Sequence, residues 1–422
     1  MIPVMSIRIA PLSVLASIVA VATLSAQVLR VASWSPTVER VPTPAAAGSA
    51  QPQLSRSDRG IILSWVERNG KRATLKYSER TPTGWSASRA VASGDDWFVN
   101  WADVPSVIRL ADATLVAHWL QKSGPGTYAY DVRLSHSKDE GKTWSPSFRP
   151  HSDGTKTEHG FASLFQMPGA GLGLVWLDGR AMKPEAEHGG HGAADAGSMS
   201  VRFATFDRDW KQTAEVPVDP RVCECCPTTA VVTAEGPIAA FRDRTEQEVR
   251  DIYVARFENG KWTEPKAVHG DGWTIPACPV NGPVLSARGR DVAIAWFTVK
   301  EDQGRAFIAF SRDAGRTFAA PIRLDDSVAL GRVDVELMPD GSAVASWLEF
   351  ANQRAQFRVR CVEPSGAKSP AVTVSGLAGD RESGYPRIAR HGDELVFAWT
   401  ETAAGRSQVQ TAVARLETGT DR

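Results

Sequence analysis

Short apolar strands recur along this chain at a nearly constant period. Each repeat contains an apolar segment that ends in a large aromatic residue, and successive aromatic residues lie between 51 and 65 residues apart. These seven residues are Trp65, Trp119, Trp176, Phe241, Trp296, Trp347 and Trp399. Another short apolar strand precedes each segment and a third follows it, with turns rich in Gly and Pro. This pattern predicts an all-β protein without long helices.

Such a period is typical of a β-propeller with four-stranded antiparallel blades. The seven repeats predict seven blades, and the alternative is a six-bladed propeller with one appended unit. The last repeat ends on its third strand, at about residues 408–416. A fourth strand would then come from the N-terminal side, with residues 28–33 as the candidate. This closure would remove an exposed sheet edge.

One turn occurs twice in the chain. The pattern Ser-x-Asp-x-Gly-x-Thr-aromatic is found at residues 137–144 and again at residues 311–318. The Asp can accept hydrogen bonds from its own turn, and the Gly can take a positive φ. The pattern resembles the Asp box of sialidase-like (BNR-repeat) β-propellers, of which this chain would be a divergent member. The sialidase fold that it resembles has six blades.

Strand direction assigns residues to two faces of the predicted propeller. In an antiparallel blade, the loop that enters the first strand and the loop between the second and third strands share one face. The two repeated turns follow third strands and therefore lie on the other face. Because the first strands lie nearest the axis, their entry residues converge on a central funnel. We expect the ligand to bind there.

Charge and the N-terminal segment restrict partners and location. The 422 residues include 48 Lys plus Arg and 48 Asp plus Glu, so no global field favours nucleic acid. The apolar run that follows Arg8 predicts an export signal over residues 1–26, with an uncleaved membrane anchor as the alternative. Residues 27–53, rich in Pro and Ala, predict a linker that includes the possible closing strand, followed by the propeller at 54–422.

We therefore expect an exported protein, periplasmic or secreted, that works as a monomer. It would touch a membrane only if the N-terminal segment stayed uncleaved. The expected partner is a carbohydrate or another small-molecule ligand, and nucleic acid is not expected.

The resemblance to sialidases implies a set of catalytic residues. Sialidases of this family hold the substrate carboxylate with three arginines and use a tyrosine nucleophile. The funnel residues proposed for catalysis are Asp103, Arg180, Arg242 and Tyr385. Asp103 stands where the family places its first arginine, so the arginine triad is incomplete. The implied activity is exo-sialidase-like glycoside hydrolysis, and glycan binding without hydrolysis is the alternative.

Further funnel residues would contact the ligand itself. Aromatic rings stack on sugar rings, whereas charged and amide side chains hydrogen-bond to hydroxyl groups. The predicted ligand-binding residues are Trp101, His159, Arg244, Trp273, Asn281 and Arg332.

Four of the five cysteines lie where the chain enters the first strands of two adjacent predicted blades. They are Cys223, Cys225 and Cys226 in one blade and Cys278 in the next. Cys226 and Cys278 lie one blade period apart, so we expect them to be neighbours. In an exported protein, such cysteines predict one or two disulfides. The alternative is a metal site, for which thiolates favour copper or zinc.

The third repeat carries an insertion that would overhang these cysteines. Its residues His188 and His191 are candidate metal ligands alongside the thiolates. A non-hydrolytic, exported metal-binding protein is therefore the alternative function. No cofactor other than copper or zinc is expected.

Overall fold

The computed structural model describes residues 31, 34–169, 171–182, 197–403 and 405–416. Within these residues, 29 strands form seven antiparallel sheets, which are the blades of a propeller. The prediction of a seven-bladed, all-β propeller is therefore confirmed, and the six-bladed alternative is wrong. No helix in the described part of the chain has the length and apolar character needed to cross a membrane.

The strands of the first three blades follow one another along the chain. Blade 1 contains β2 (Ser49–Ser57), β3 (Gly60–Asn69), β4 (Arg72–Thr81), β5 (Gly84–Trp85) and β6 (Arg89–Gly94). Blade 2 contains β7 (Ser106–Arg109), β8 (Leu115–Lys122) and β9 (Tyr130–Ser137). Blade 3 contains β10 (His159–Met167), β11 (Gly171–Asp178), β12 (Ser200–Phe206) and β13 (Gln212–Asp219).

The remaining blades repeat this order. Blade 4 contains β14 (Thr229–Thr233), β15 (Gly236–Arg242), β16 (Ile252–Glu258), β17 (Lys261–Trp262) and β18 (Lys266–Ala267). Blade 5 contains β19 (Val284–Arg288), β20 (Asp291–Lys300), β21 (Gln303–Ser311) and β22 (Ile322–Arg323). Blade 6 contains β23 (Val328–Leu337), β24 (Ala343–Ala351), β25 (Arg354–Val362) and β26 (Val372–Leu377). Blade 7 contains β27 (Arg387–His391), β28 (Glu394–Ala403), β29 (Arg406–Arg415) and, from the N-terminal side, β1 (Val38–Val41).

The seven periodic aromatic residues lie in the second strand of their blades and are buried. In three blades the buried indole N–H donates to a carboxylate two residues later: Trp65 to Glu67 at 2.9 Å, Trp176 to Asp178 at 2.8 Å and Trp347 to Glu349 at 3.0 Å. A buried indole needs such an acceptor. The spacing therefore marks the packed middle of each blade.

Closure of the ring differs in detail from the prediction. β1 pairs antiparallel with β29, from Val38 opposite Ala414 to Val41 opposite Thr411. The fourth strand of blade 7 thus comes from the N-terminal side as expected, and Val38–Val41 supply it; the candidate residues 28–33, apart from residue 31, lie outside the described residues. β1 and the start of β2 lie inside the predicted linker, so the propeller begins before residue 54. Both strands are rich in polar residues, which concealed them in the sequence.

The first strands of the blades line a central channel of about 960 Å³. Their side chains bond to the backbone of the next blade: Ser163 accepts from Ala230 N at 3.0 Å, Thr229 from Leu285 N at 3.4 Å, Ser286 from Leu337 N at 2.9 Å and Asp334 from Ile388 N at 3.0 Å. These contacts satisfy inner-strand amides and fix neighbouring blades to one another.

Each of the two repeated turns is held together by its own aspartate. Asp139 accepts from the Ser137 hydroxyl at 2.8 Å, from the Thr143 amide at 2.9 Å and from the Thr143 hydroxyl at 2.6 Å. Asp313 has the same three contacts with Ser311 and Thr317. The hydrogen bonds from Thr143 lower the pKa of Asp139 to about 2. These aspartates are therefore occupied by the turn itself.

We expect Asp313→Ala to lower the free energy of unfolding by about 1–3 kcal/mol, because the turn loses all three hydrogen bonds to this carboxylate. Urea denaturation followed by tryptophan fluorescence measures the change. Asp58→Ala, at an exposed aspartate in the turn between β2 and β3, is the matched control. Equal losses in the two variants would contradict a structural role for the repeated turn.

Candidate functional site

The channel opens on the face where the first strands of the blades begin. We call this opening the upper mouth; the loops that border it are residues 95–105, 149–158, 221–228, 272–283 and 378–386. The two repeated turns lie on the opposite face, at the ends of β9 and β21. The sequence-predicted site residues within the described part of the chain lie in or beside the loops of the upper mouth.

A tyrosine held between two carboxylates lies at this mouth. The hydroxyl oxygen of Tyr130 is 2.6 Å from Glu158 Oε1 and 3.1 Å from Asp103 Oδ2. Tyr130 and Asp103 are buried, whereas Glu158 is half-buried. The Phe98 ring stacks on Tyr130 with the centroids 4.1 Å apart. Glu158 thus connects a buried hydrogen-bonded group with the surface of the mouth.

Proton count determines how this group is bonded. A phenol has one proton, so Tyr130 donates to only one of its two carboxylates. Burial raises the pKa of Asp103 to about 7, against the hydrogen bond that Asp103 accepts from the Phe161 amide. Asp103 can therefore carry a proton near neutral pH and donate it to the Tyr130 oxygen, while Tyr130 donates to Glu158.

These contacts bear on the predicted role of Asp103. The sialidase resemblance implied that Asp103 occupies the position of the first arginine of the family and brings a negative charge there. In the structure Asp103 is buried beside Tyr130 and also binds the amide of the next blade, so it belongs to the frame of the mouth. It is a positioning residue rather than a group that touches a ligand.

Gly160 permits the close approach of these side chains. A Cβ at this position would lie 2.1 Å from Asp103 Oδ2 and 2.8 Å from the Tyr130 hydroxyl oxygen. Any larger residue would force the two side chains apart. The Gly in the sequence His159-Gly160 is thus required by the tyrosine–carboxylate group.

Three inner strands are distorted where they reach the upper mouth. In β2, β10 and β23 the pairing register with the second strand shifts near the start of the strand. Each shifted segment contains a non-glycine residue with positive φ. These residues are Gln51 at 60°, Phe161 at 51° and Arg332 at 53°. Bulges of this kind redirect side chains and are frequent beside functional sites, and a bulky residue at positive φ is strained.

The predicted nucleophile Tyr385 is part of the packing. It is buried, its ring stacks on Trp101 with the centroids 5.9 Å apart, and its hydroxyl donates to the Val280 carbonyl. Burial raises the pKa of the Tyr385 hydroxyl above its usual range. These contacts oppose the nucleophilic role that the sequence predicted.

Trp101 is half-buried at the mouth and offers a ring to a ligand. The guanidinium of Arg332 lies 4.9 Å from the centre of this ring. Asn281 accepts from the Arg332 amide at 2.8 Å, and Arg332 donates to the Asp380 carbonyl at 2.6 Å. The Arg332 Nη1 atom is buried and lacks a partner among the described residues.

The two arginines proposed for a carboxylate clamp are already engaged. Arg242 is buried and donates to the carbonyls of Asn281, Arg250 and Phe297, at 2.9, 2.5 and 2.5 Å. Its guanidinium covers Trp273, which is itself buried. Burial lowers the pKa of Arg242 to about 10. The burial and contacts of Arg242 and Trp273 oppose their predicted catalytic and binding roles, which stay predictions.

Arg180 is bound by carboxylates of its own protein. It donates to Asp178 at 2.7 and 2.8 Å and to Glu215 at 2.7 Å. A guanidinium with these partners has no pair of N–H groups left to bind a substrate carboxylate in a bidentate manner. The internal partners of Arg180 and Arg242 thus oppose the predicted carboxylate clamp.

Arg244 belongs to a second ion-pair network at the entry of blade 4. It pairs with Glu224 and Glu248, and the buried Arg250 pairs with the same two glutamates at 2.9 and 2.8 Å. Arg250 was not recognised in the sequence, because it reads as an ordinary strand-end charge. The network fixes the loop that carries the cysteines.

The cysteines form two pairs. Cys223 and Cys226 are joined as a disulfide, and the Cys225 thiol hydrogen-bonds to Cys278. The residue seen to contact Cys278 of the next blade is Cys225, which is adjacent in sequence to the predicted Cys226. The hydrogen bond from Cys225 lowers the pKa of Cys278. The candidate ligands His188 and His191 lie outside the described residues.

His159, predicted to bind the ligand, is fully buried. Its ring stacks on His151 with the centroids 3.8 Å apart, and the two rings lie among Asp131, Asp153 and Asp178. This burial opposes the predicted binding role of His159, which stays a prediction. His151 and Asp153 were not predicted, because they lie in a connector without strand periodicity.

We expect the free energy of unfolding of Asp103→Asn to depend less on pH than that of the wild type. The pKa of Asp103 is raised in the folded state, so its stabilising proton is lost as the pH rises through about 7. From pH 5 to pH 8 the wild type should lose roughly 2 kcal/mol more than the variant. Urea denaturation at both pH values measures this, with the exposed Asp95→Asn as control. Identical pH profiles in wild type and Asp103→Asn would contradict the assignment.

Solved structures share this fold at low sequence identity. No protein-family model matches the chain, and no curated protein matches it. A protein of unknown function from Dyadobacter fermentans is 14% identical, with 91% of this chain and 98% of that chain covered and a TM-score of 0.51. The NanB sialidase from Streptococcus pneumoniae (10% identical, 90% and 94% covered) has a TM-score of 0.46. An ulvan lyase of a polysaccharide lyase family (11% identical, 77% and 80% covered) has a TM-score of 0.49. At these identities the likeness concerns the propeller fold alone.

Proposed function

We propose that this protein binds a carbohydrate ligand at the upper mouth and processes it with Glu158 as the acid–base group. The observation that carries the proposal is the contact of 2.6 Å between the Tyr130 hydroxyl and Glu158. A buried tyrosine that orients a half-buried carboxylate at the mouth of a channel is an arrangement suited to proton transfer. We propose as well that the two repeated turns are Asp boxes of the sialidase-like type.

Ligand binding would use the aromatic surface beside this group. Trp101, in the upper mouth, and Tyr128, in the loop between β8 and β9 on the same face, are half-buried. Trp101 is supported by Tyr385 and Arg332, so its ring is held in one orientation. An ordered aromatic ring with polar groups beside it suits the apolar face and the hydroxyl edge of a sugar.

The chemistry assigned to Glu158 follows from its hydrogen bond. Tyr130 donates to it, so Glu158 acts as the acceptor and can take a proton from water or from a sugar hydroxyl. Tyr130 is buried, and its surroundings raise its pKa well above 10, first through burial and then through the nearby carboxylates. Tyr130 therefore positions Glu158 and does not itself attack the ligand. This assignment differs from the tyrosine nucleophile that the sialidase resemblance implied.

Incubation with fluorogenic sialosides, other glycosides and a panel of acidic and neutral polysaccharides tests the proposal. We expect Glu158→Gln, which keeps the acceptor oxygen, to lower turnover by about 100-fold or more while binding changes only a few-fold. Trp101→Ala should instead weaken binding. Glu246→Gln, at an exposed glutamate in the loop between β15 and β16, is the control for the loss of one charge.

Full activity of Glu158→Gln would remove the acid–base role. Absence of both turnover and binding across the panel, with a folded wild-type protein, would remove the carbohydrate proposal altogether. Export from the cytoplasm belongs to the proposal as well, since the ligands considered are extracellular polymers.

A second candidate function is metal binding through thiols. It is favoured by the Cys225–Cys278 contact, which brings together two cysteines from adjacent blades that are free within the described chain. Thiolates select Cu(I) or Zn²⁺. We expect reduced protein to bind Cu(I) and the Cys225→Ser/Cys278→Ser variant to bind it at least tenfold more weakly. Equal binding by both proteins would contradict this candidate.

A further inference from the structure

Two stacked imidazoles lie between two carboxylates at the junction of blades 2 and 3. The rings of His151 and His159 are nearly parallel, at 5°. One edge of the pair faces Asp131 and the opposite edge faces Asp153. Both imidazoles and the Asp131 carboxylate are at least nine-tenths buried. Bulk solvent therefore does not reach these groups.

Three unpartnered atoms converge on the Asp131 edge. Asp131 Oδ1 lies 3.7 Å from His151 Nε2 and 3.6 Å from His159 Nδ1. None of the three atoms has a hydrogen-bond partner among the described residues. The separations exceed hydrogen-bond length, and burying such atoms without a partner is costly. Donors that each bind Zn²⁺ at about 2.0–2.1 Å in a tetrahedral site lie about 3.3 Å apart. Because the two imidazoles are stacked, their nitrogen lone pairs are parallel, so His159 must turn about its Cβ–Cγ bond before one ion can lie in both ring planes.

On the opposite edge of the rings, Asp153 is hydrogen-bonded to His151, whereas His159 Nε2 has no hydrogen-bond partner among the described residues. Asp153 Oδ2 lies 3.0 Å from His151 Nδ1 and 3.3 Å from His159 Nε2. Arg180 lies near Asp153 and pairs directly with Asp178. A carboxylate that binds the far nitrogen of an imidazole orients the near nitrogen as a ligand. Asp153 therefore orients His151 as a ligand, whereas the unbonded His159 can turn toward the same ion.

Asp131 itself is prepared in the same way. Its second oxygen, Oδ2, lies 3.3 Å from Arg149 Nη1, which leaves Oδ1 directed at the two imidazoles. We propose that Asp131 Oδ1, His151 Nε2 and His159 Nδ1 bind a divalent transition-metal ion of the zinc class. Two imidazoles and one carboxylate are a donor set that such ions bind. The site involves no cysteine and is separate from the carbohydrate proposal.

The position of this site gives the ion a structural task. Blade 2 has three strands, β7 to β9, and the segment that follows is held to β9 around a bridge between Leu134 and Phe148. Asp131 belongs to β9, His159 begins β10, and His151 lies in the connector between them. The ion would join all three where the blade lacks a fourth strand. Glu158 ends the same connector, so the ion would also fix the acid–base group.

The test uses untagged, full-length protein treated with chelator and then dialysed. We expect one Zn²⁺ per chain in a calorimetric titration, a higher melting temperature with Zn²⁺, and slower hydrogen exchange in residues 149–158. Asp131→Asn and His151→Gln should each bind Zn²⁺ at least 100-fold more weakly and lose the thermal shift. The exposed Asp209→Asn is the control for the charge change.

A cysteine variant separates this site from the thiols. Cys225→Ser/Cys278→Ser should bind Zn²⁺ as the wild type does, and Co²⁺ bound to either protein should lack thiolate charge-transfer absorption. Circular dichroism shows whether each variant folds. If Asp131→Asn does not fold, His151→Gln provides the test. The proposal is overturned if folded wild type binds no Zn²⁺, or if binding survives the folded Asp131 and His151 variants. Loss of Zn²⁺ binding in the cysteine variant alone would also overturn it.

Discussion

The whole structure depends on closure of the ring of first strands around one axis. Four residues of β1 pair with β29 and complete the last blade, so the first and last parts of the chain hold one another. Side chains of the inner strands then bind the backbone amides of the next blade at several junctions around the axis. Without this closure β29 would be an exposed edge strand and blade 7 would be incomplete.

Convergence of the entry loops explains where polar groups can be buried. The Tyr130 group and the two imidazoles both lie at the junction of blades 2 and 3, where the connector replaces a regular fourth strand. The connector places Glu158 at one group and His151 at the other. Irregular backbone at this junction is thus the feature that brings ionisable side chains into the interior, at a cost in desolvation that their mutual contacts offset.

The fold could be predicted from the sequence more completely than the site. Seven buried aromatic residues at a constant period gave the blade number, and the polarity of β1 and β2 hid only the closing strand. The arginines were misjudged because sequence shows charge and not partners: Arg242 binds backbone carbonyls, and Arg180 binds carboxylates of its own chain. His159 was placed on the correct face but at the wrong depth.

Tyr130 and His151 were missed for different reasons. Tyr130 begins a third strand and reads as an ordinary buried aromatic, and its importance appears only when Glu158 from the connector is placed 2.6 Å away. His151 lies in a segment without periodicity, so no strand pattern gave it a direction. Pairing between residues that are distant along the chain is information that a single sequence with no alignment does not contain.

A crystal structure of the Glu158→Gln variant with a bound oligosaccharide tests the central claim most directly. The account predicts a sugar ring against Trp101 and a glycosidic or hydroxyl oxygen within hydrogen-bond distance of residue 158, at the upper mouth. A ligand bound on the face of the repeated turns, or at the upper mouth but away from both residues, would contradict it.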